Sequence, residues 1–164
     1  MSQPKAITMT AIEAIILNFE EIRARSIQIW SGVTPEFYNW KPDVKAYSCI
    51  EMIRHVLEVE NIYRLLIINK GGNVSDFDSP WKDRALTDIQ DELEFAAPYR
   101  KEFLKTIQIF TEDELNSIEI VRKDRKTRNL GDFLNRCSYH ESVHAGQFLS
   151  YLRILGLDRP NIWY

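Results

Sequence analysis

The chain has little cysteine. Cys49 and Cys137 are the only two, and both fall within predicted helices, which excludes a disulfide scaffold. It also lacks any apolar run near the roughly 20 residues that a membrane span requires. Its first residues show no basic stretch, apolar segment and small-residue cleavage site of the secretory type. The expectation is a cytoplasmic protein without a membrane partner. An excess of positive charge is missing too: 21 Lys and Arg face 24 Asp and Glu, for a formal net charge of −3. Phosphate backbones are bound by concentrated basic surfaces, so no nucleic-acid partner is expected. One local exception is RKDRKTR, Arg122 to Arg128, which reads as a solvated turn or as a ligand-binding run. Repeats, low-complexity segments and extended strand-like alternation are likewise absent.

What remains is the composition of an ordinary globular protein, with 45% apolar and 27% charged residues. At 164 residues the chain suffices for one substantial core and is short for two, so residues 1–164 are taken as a single domain.

Four long helical patterns account for most of it. The first runs from about Thr10 to Trp30, with Ile12, Ile15, Ile16, Phe19, Ile22 and Trp30 on one stripe and Thr10 and Glu13 at capping-box spacing. Gly32 and Pro35 end it. An aromatic connection with two prolines follows, and a second helix opens at Ser48, boxed with Glu51, and continues to Asn69. Residues 71–86 form a polar loop carrying Phe77 and Trp81, either functional or a cover for the bundle end. Thr87 with Gln90 opens a third helix reaching about Phe110, in which Pro98 predicts a kink or break. Residues 117–130 contain a short β-like stretch, a small hairpin or an extended crossover. The fourth helix spans about Leu130 to Leu155, with Gly156 as its stop and Pro160 beyond. The fold class is all-α, a four-helix bundle.

Histidine is scarcer than proline or glycine, with three in the whole chain. His140 and His144 lie four residues apart, so on a helix they differ by about 40° in direction and about 6 Å in height. Their sector is shared by Phe133, Cys137, Phe148, Tyr151 and Leu155, the apolar side. His55 has Met52, Val59, Ile62 and Leu66 around it and also faces inward. Two neutral imidazoles at this spacing can reach one ion; the alternative is three hydrogen-bonded core residues.

HESVHAGQFLSYLRILGLDRPNIWY, from His140, resembles the last helix of the DinB/YfiT-like family, with its H-x-x-x-H-x-G-Q pattern, Arg-x-x-Gly ending and proline. WKPDVKAYSCIEMIRHVLEVE, from Trp40, is similar to that family's Trp-x-Pro loop leading through a serine-capped helix to its first histidine. The resemblance implies an up-down-down-up four-helix bundle, a divalent metal held by His55, His140 and His144, and a homodimer. It further implies a transferase or isomerase that uses a low-molecular-weight thiol such as bacillithiol, mycothiol or glutathione.

Three imidazoles leave positions for water or substrate, the arrangement of a catalytic site, and a cation there lowers the pKa of a bound thiol or water. Imidazole suits zinc and nickel, with manganese or iron as alternatives. The leading expectation is a thiol-dependent S-transferase acting on a small electrophile. Metal-dependent hydrolysis and a non-catalytic stress-response bundle are the alternatives. Glu141, about 100° from His140, is a candidate to orient an imidazole or accept a proton, against an interhelical ion pair with an arginine such as Arg54. Glu58 is a weaker candidate of the same kind. Gln147, Tyr151 and Trp40 are candidate pocket residues. Cys137 sits about 7.5 Å along the axis from the histidine pair and reads as packing. Gly146, away from the histidine face, suggests a close helix approach, within the bundle or across a dimer.

Overall fold

A computed structural model describes residues 8–123 and 125–163. Its elements are α1 Ala11–Trp30, α2 Cys49–Ile68, α3 Ile89–Gln108, α4 Glu112–Ser117, β1 Glu119–Ile120, β2 Arg128–Asn129 and α5 Leu130–Ile154. The starts of α1 and α2 follow from local chemistry. Thr10 and Ser48 each accept from the backbone N–H three residues on, while Glu13 and Glu51 accept from the cap N–H in return.

α3 begins one residue later than its sequence suggests. Asp88 is the cap, accepting from Asp91 N–H at 2.9 Å, and the Thr87 hydroxyl instead donates to the Asp91 carboxylate. Pro98 does not break the helix. It lies on the exposed face, where water can take the carbonyl that its missing N–H leaves open. Beyond Gln108 the chain adds a helix the sequence reading lacked. Thr111 and Glu114 form a third capping box, and the six residues of α4 end at β1. β1 and β2 pair antiparallel, Glu119 with Asn129 and Ile120 with Arg128, so the β-like stretch is a small hairpin.

The helix directions can be read from the core. Ile12 and Phe19 of α1, Leu66 and Ile67 of α2, Phe103 and Ile107 of α3, and Leu130 and Leu134 of α5 share one cluster. Ile29 and Trp30, Cys49 and Ile53, Ala96, and Phe148 and Leu152 share the other. Thus α1 and α5 run from the first cluster to the second while α2 and α3 run back: up, down, down, up. Consecutive parallel helices cannot be joined by a tight turn, and residues 69–88 are the long crossover that joins them.

The crossover is held down rather than loose. Gly71, with φ +139°, bridges to Val121, and a Cβ there would lie 2.0 Å from the Val121 carbonyl oxygen, so no side chain fits. Trp81 is buried, and its indole N–H donates to Glu92 at 3.1 Å. Arg54 of α2 donates to Glu92 and to the carbonyls of Arg84 and Ala85. Of the two readings of this loop, the one in which its aromatics cover the bundle matches this packing. Among the described residues no helix is long and apolar enough to cross a membrane.

Candidate metal centre

His55 comes from α2, and His140 and His144 from adjacent turns of α5, at the level between the two core clusters. Their rings point at one another. His140 Nε2 lies 3.2 Å from His55 Nε2 and 3.2 Å from His144 Nε2. All three side chains are half-buried, and one ligand atom from each falls within 4.8 Å of the others.

Hydrogen bonding alone does not satisfy this arrangement. A neutral imidazole nitrogen carries either one proton or one in-plane lone pair, so His140 Nε2 cannot make a good bond to both neighbours. A shared cation satisfies all three lone pairs together. Two nitrogens each about 2.0–2.1 Å from one tetrahedral ion stand about 3.3 Å apart, close to the separations here. The donor set therefore fits a divalent ion.

Electrostatics keep the rings in the form that ligation needs. Burial, reinforced by His144, pushes His55 down to about 4. Burial, with His144 and His55, pushes His140 down to about 4 against the opposing pull of Glu141. Burial also lowers His144, with the Gln147 side chain opposing. All three are neutral at neutral pH.

A pH dependence follows for metal-stripped protein. The folded values lie below the ordinary histidine value near 6.5, so below that pH the unfolded chain binds more protons than the folded one. Stability is whole above pH 6.5 and falls as the pH drops toward 4. The loss per histidine is at most about 1.4 kcal/mol for each pH unit, reduced by the partial exposure of the rings. Thermal melts of chelated protein between pH 7.5 and 4.5 should show Tm falling; a flat profile would contradict neutral, crowded rings.

Aromatic side chains frame the cluster. Tyr47 stacks on His55, with ring centroids 4.8 Å apart and planes 25° from parallel. The Tyr151 hydroxyl donates to the Tyr47 carbonyl at 3.0 Å, and Trp40 meets Tyr151 edge-on at 5.4 Å. Trp40 and Tyr151 thus stand behind Tyr47 and hold the aromatic connection over His55. On the other side Tyr63 meets His140 edge-on at 5.6 Å and Phe133 at 5.8 Å. The sequence reading did not single out Tyr47 or Tyr63. Tyr47 stands immediately before the Ser48 cap, the place from which a hydrophobic staple folds back on a helix, and that was the available signal. Tyr63 adjoins Ile62 on the stripe already assigned to the core.

Glu141 is buried and engaged, but its partner differs from the one expected. Arg23 of α1 donates to both carboxylate oxygens, Nε to Oε1 at 2.8 Å and Nη2 to Oε2 at 3.0 Å, and reaches Glu60 at 3.3 Å. Arg100 also pairs with Glu60 and donates to the Phe19 carbonyl at 2.7 Å. Burial alone would raise Glu141; the charge and hydrogen bonds of Arg23 outweigh it and hold the carboxyl below its ordinary value. Arg54 is committed to Glu92 instead. Glu58 faces the crossover, where it accepts from the Ser79 hydroxyl. Cys49 and Cys137 are free and buried, and burial pushes both thiols up. Gln147 is exposed beside His144.

A helical bundle whose α2 and α5 bring three histidine nitrogens to one point defines the class of protein. Residues 18–148 match the DinB superfamily, and the chain belongs to that family. It is similar in fold to a DinB-like protein, YjoA, from Bacillus subtilis, with TM-score 0.70 and 19% identity over 91% of this chain and 96% of that one. A DinB-like protein from Bacillus cereus gives TM-score 0.66 and 17% identity over 95% of this chain and all of the other. No curated protein matches.

Proposed function

We propose that His55, His140 and His144 hold one divalent ion, zinc or nickel before manganese or iron, in an enzyme that joins a low-molecular-weight thiol to a small electrophile. The observation that carries the reading is the convergence of three Nε2 atoms, two of them 3.2 Å from the third. When bound, such an ion acts as a Lewis acid that makes a thiol or water more acidic near neutral pH. The protein's share is positional. The three neutral rings supply lone pairs, Tyr47 fixes the plane of His55, and the Arg23–Glu141 pair ties α5 to α1 beside His140.

Structural zinc sites take four protein ligands, whereas this cluster among the described residues has three, which favours an open, reactive position. Hydrolysis without thiol is the second reading, and its support is the same open position. Assays of electrophilic substrates with and without thiol separate the two. Thiol-dependent, metal-dependent product formation that disappears in His140→Ala is expected, while turnover that needs no thiol would replace this reading with hydrolysis.

The free, buried cysteines support a reducing, cytoplasmic setting. We also propose a homodimer through the outer face of α5. Tyr139, Val143 and Ile154 are exposed there, and a Cβ on Gly146 would meet nothing within 4 Å, so the approach that Gly146 suggests is not made inside the bundle. Light scattering should give about twice the 19.3 kDa chain mass, with Gly146→Arg shifting it to the monomer; a monomeric wild type would refute the dimer.

A further inference from the structure

His140 also lines an interior cavity, which has apolar walls from Phe19 and Phe103 and polar ones from Glu60, Cys137 and Glu141. About 10 Å³ of it is open to the centre of a water molecule. That is room for one water and for no larger ligand.

The polar atoms around this space are unevenly used. Both Glu141 oxygens accept from Arg23. Glu60 meets Arg23 and Arg100 through Oε2 alone, which leaves Oε1 for another donor. His140 turns Nε2 to the other two histidines, and among the described residues its Nδ1 makes no hydrogen bond. A ligating imidazole nearly always donates from its second nitrogen. One donor and one acceptor thus belong to the walls of a space that fits a single water. The Cys137 thiol, raised by burial first and by the Glu60 charge second, sets the sulfur close to the same carboxyl group.

We propose that the cavity binds one ordered water, which accepts from His140 Nδ1–H and donates to Glu60 Oε1, and that Glu60 is thereby a positioning residue for His140. The inference rests on the metal centre proposed above, because the bridge matters through the nitrogen that His140 offers to the ion. It fixes the Nδ1–H tautomer and the rotation of the ring, so that the Nε2 lone pair is the one turned to the metal. The Cys137 sulfur, a weak acceptor, gives the water a third neighbour, within the two to four that an internal water takes. The bridge also gives the buried charges a use beyond holding helices together. Arg23 of α1 and Arg100 of α3 pin Glu60 of α2, and Glu60 reaches His140 of α5 through the water. All four long helices then bear on one imidazole.

The test has two arms. A high-resolution crystal structure of the full-length, chelated protein should show a water within about 3.2 Å of both His140 Nδ1 and Glu60 Oε1, and a cavity without that bridge would overturn the proposal. The second arm changes Cys137 alone. Cys137→Val adds one methyl group and fills the water's place without touching a charged side chain, whereas Cys137→Ala leaves the place open. Zinc titration of both against a competing chelator should give an affinity about tenfold weaker than wild type for the Val variant and within about threefold of it for the Ala variant. A role in packing alone predicts the reverse order, because Ala leaves the larger defect. Circular dichroism checks that both variants fold. Wild-type affinity in Cys137→Val, or an equal loss in both variants, would also overturn the bridge. A wild type that takes up no zinc refutes the metal centre instead, and the crystal structure of the chelated protein then decides the water by itself.

Discussion

Glu141→Ala should lower the unfolding free energy by about 3–5 kcal/mol, the range for removing one partner of a buried ion pair. The reason is what remains. Arg23 is buried and now donates through two nitrogens to Glu141; without it the guanidinium keeps only Glu60, which Arg100 already engages. For a chain of this size that loss is a drop in Tm on the order of 10 °C. Urea unfolding measures it directly. The double change Arg23→Met with Glu141→Leu should recover much of the loss, because it removes both charges and leaves Glu60 paired with Arg100. A single-mutant loss below about 1 kcal/mol would show that the pair does not anchor α5.

His140→Ala should weaken divalent-ion binding by more than about 100-fold, beyond the effect of altering a residue that only supports a ligand. His140 is the most sensitive of the three positions because its Nε2 is the one 3.2 Å from both others. Its loss opens the cluster rather than trimming an edge. Zinc titration of the chelated proteins in the presence of a competing chelator gives the ratio, and an affinity within about threefold of wild type would remove His140 from the site. Fold is not expected to suffer, since the substitution relieves crowding among three lone pairs.

The helices that carry these residues were legible because their signals are local. Capping boxes at Thr10 and Ser48 and the 3.6-residue stripe depend on neighbours within one or two turns. The inward direction of the histidines was legible for the same reason, since an i, i+4 pair on an apolar stripe must enter the bundle. Partner choice was not. Whether Glu141 meets Arg23 or Arg54 depends on how four helices are rotated about their axes, and no local pattern records that. The placement of Tyr47 over His55 was hidden similarly, because it depends on how the connection before Ser48 folds back on α2. α4 was overlooked although its Thr111–Glu114 box was present, because six residues are too few for a hydrophobic period to show. Pro98 misled in the other direction, since a break is avoidable when the freed carbonyl faces water.

Elemental analysis of purified protein by inductively coupled plasma mass spectrometry tests the central claim most directly. About one zinc or nickel per chain in the wild type, absent from the His55, His140 and His144 alanine variants, is the predicted result. A metal-free wild type that also fails to take up added zinc, nickel and manganese would contradict it and leave the three histidines as core residues of a non-catalytic bundle.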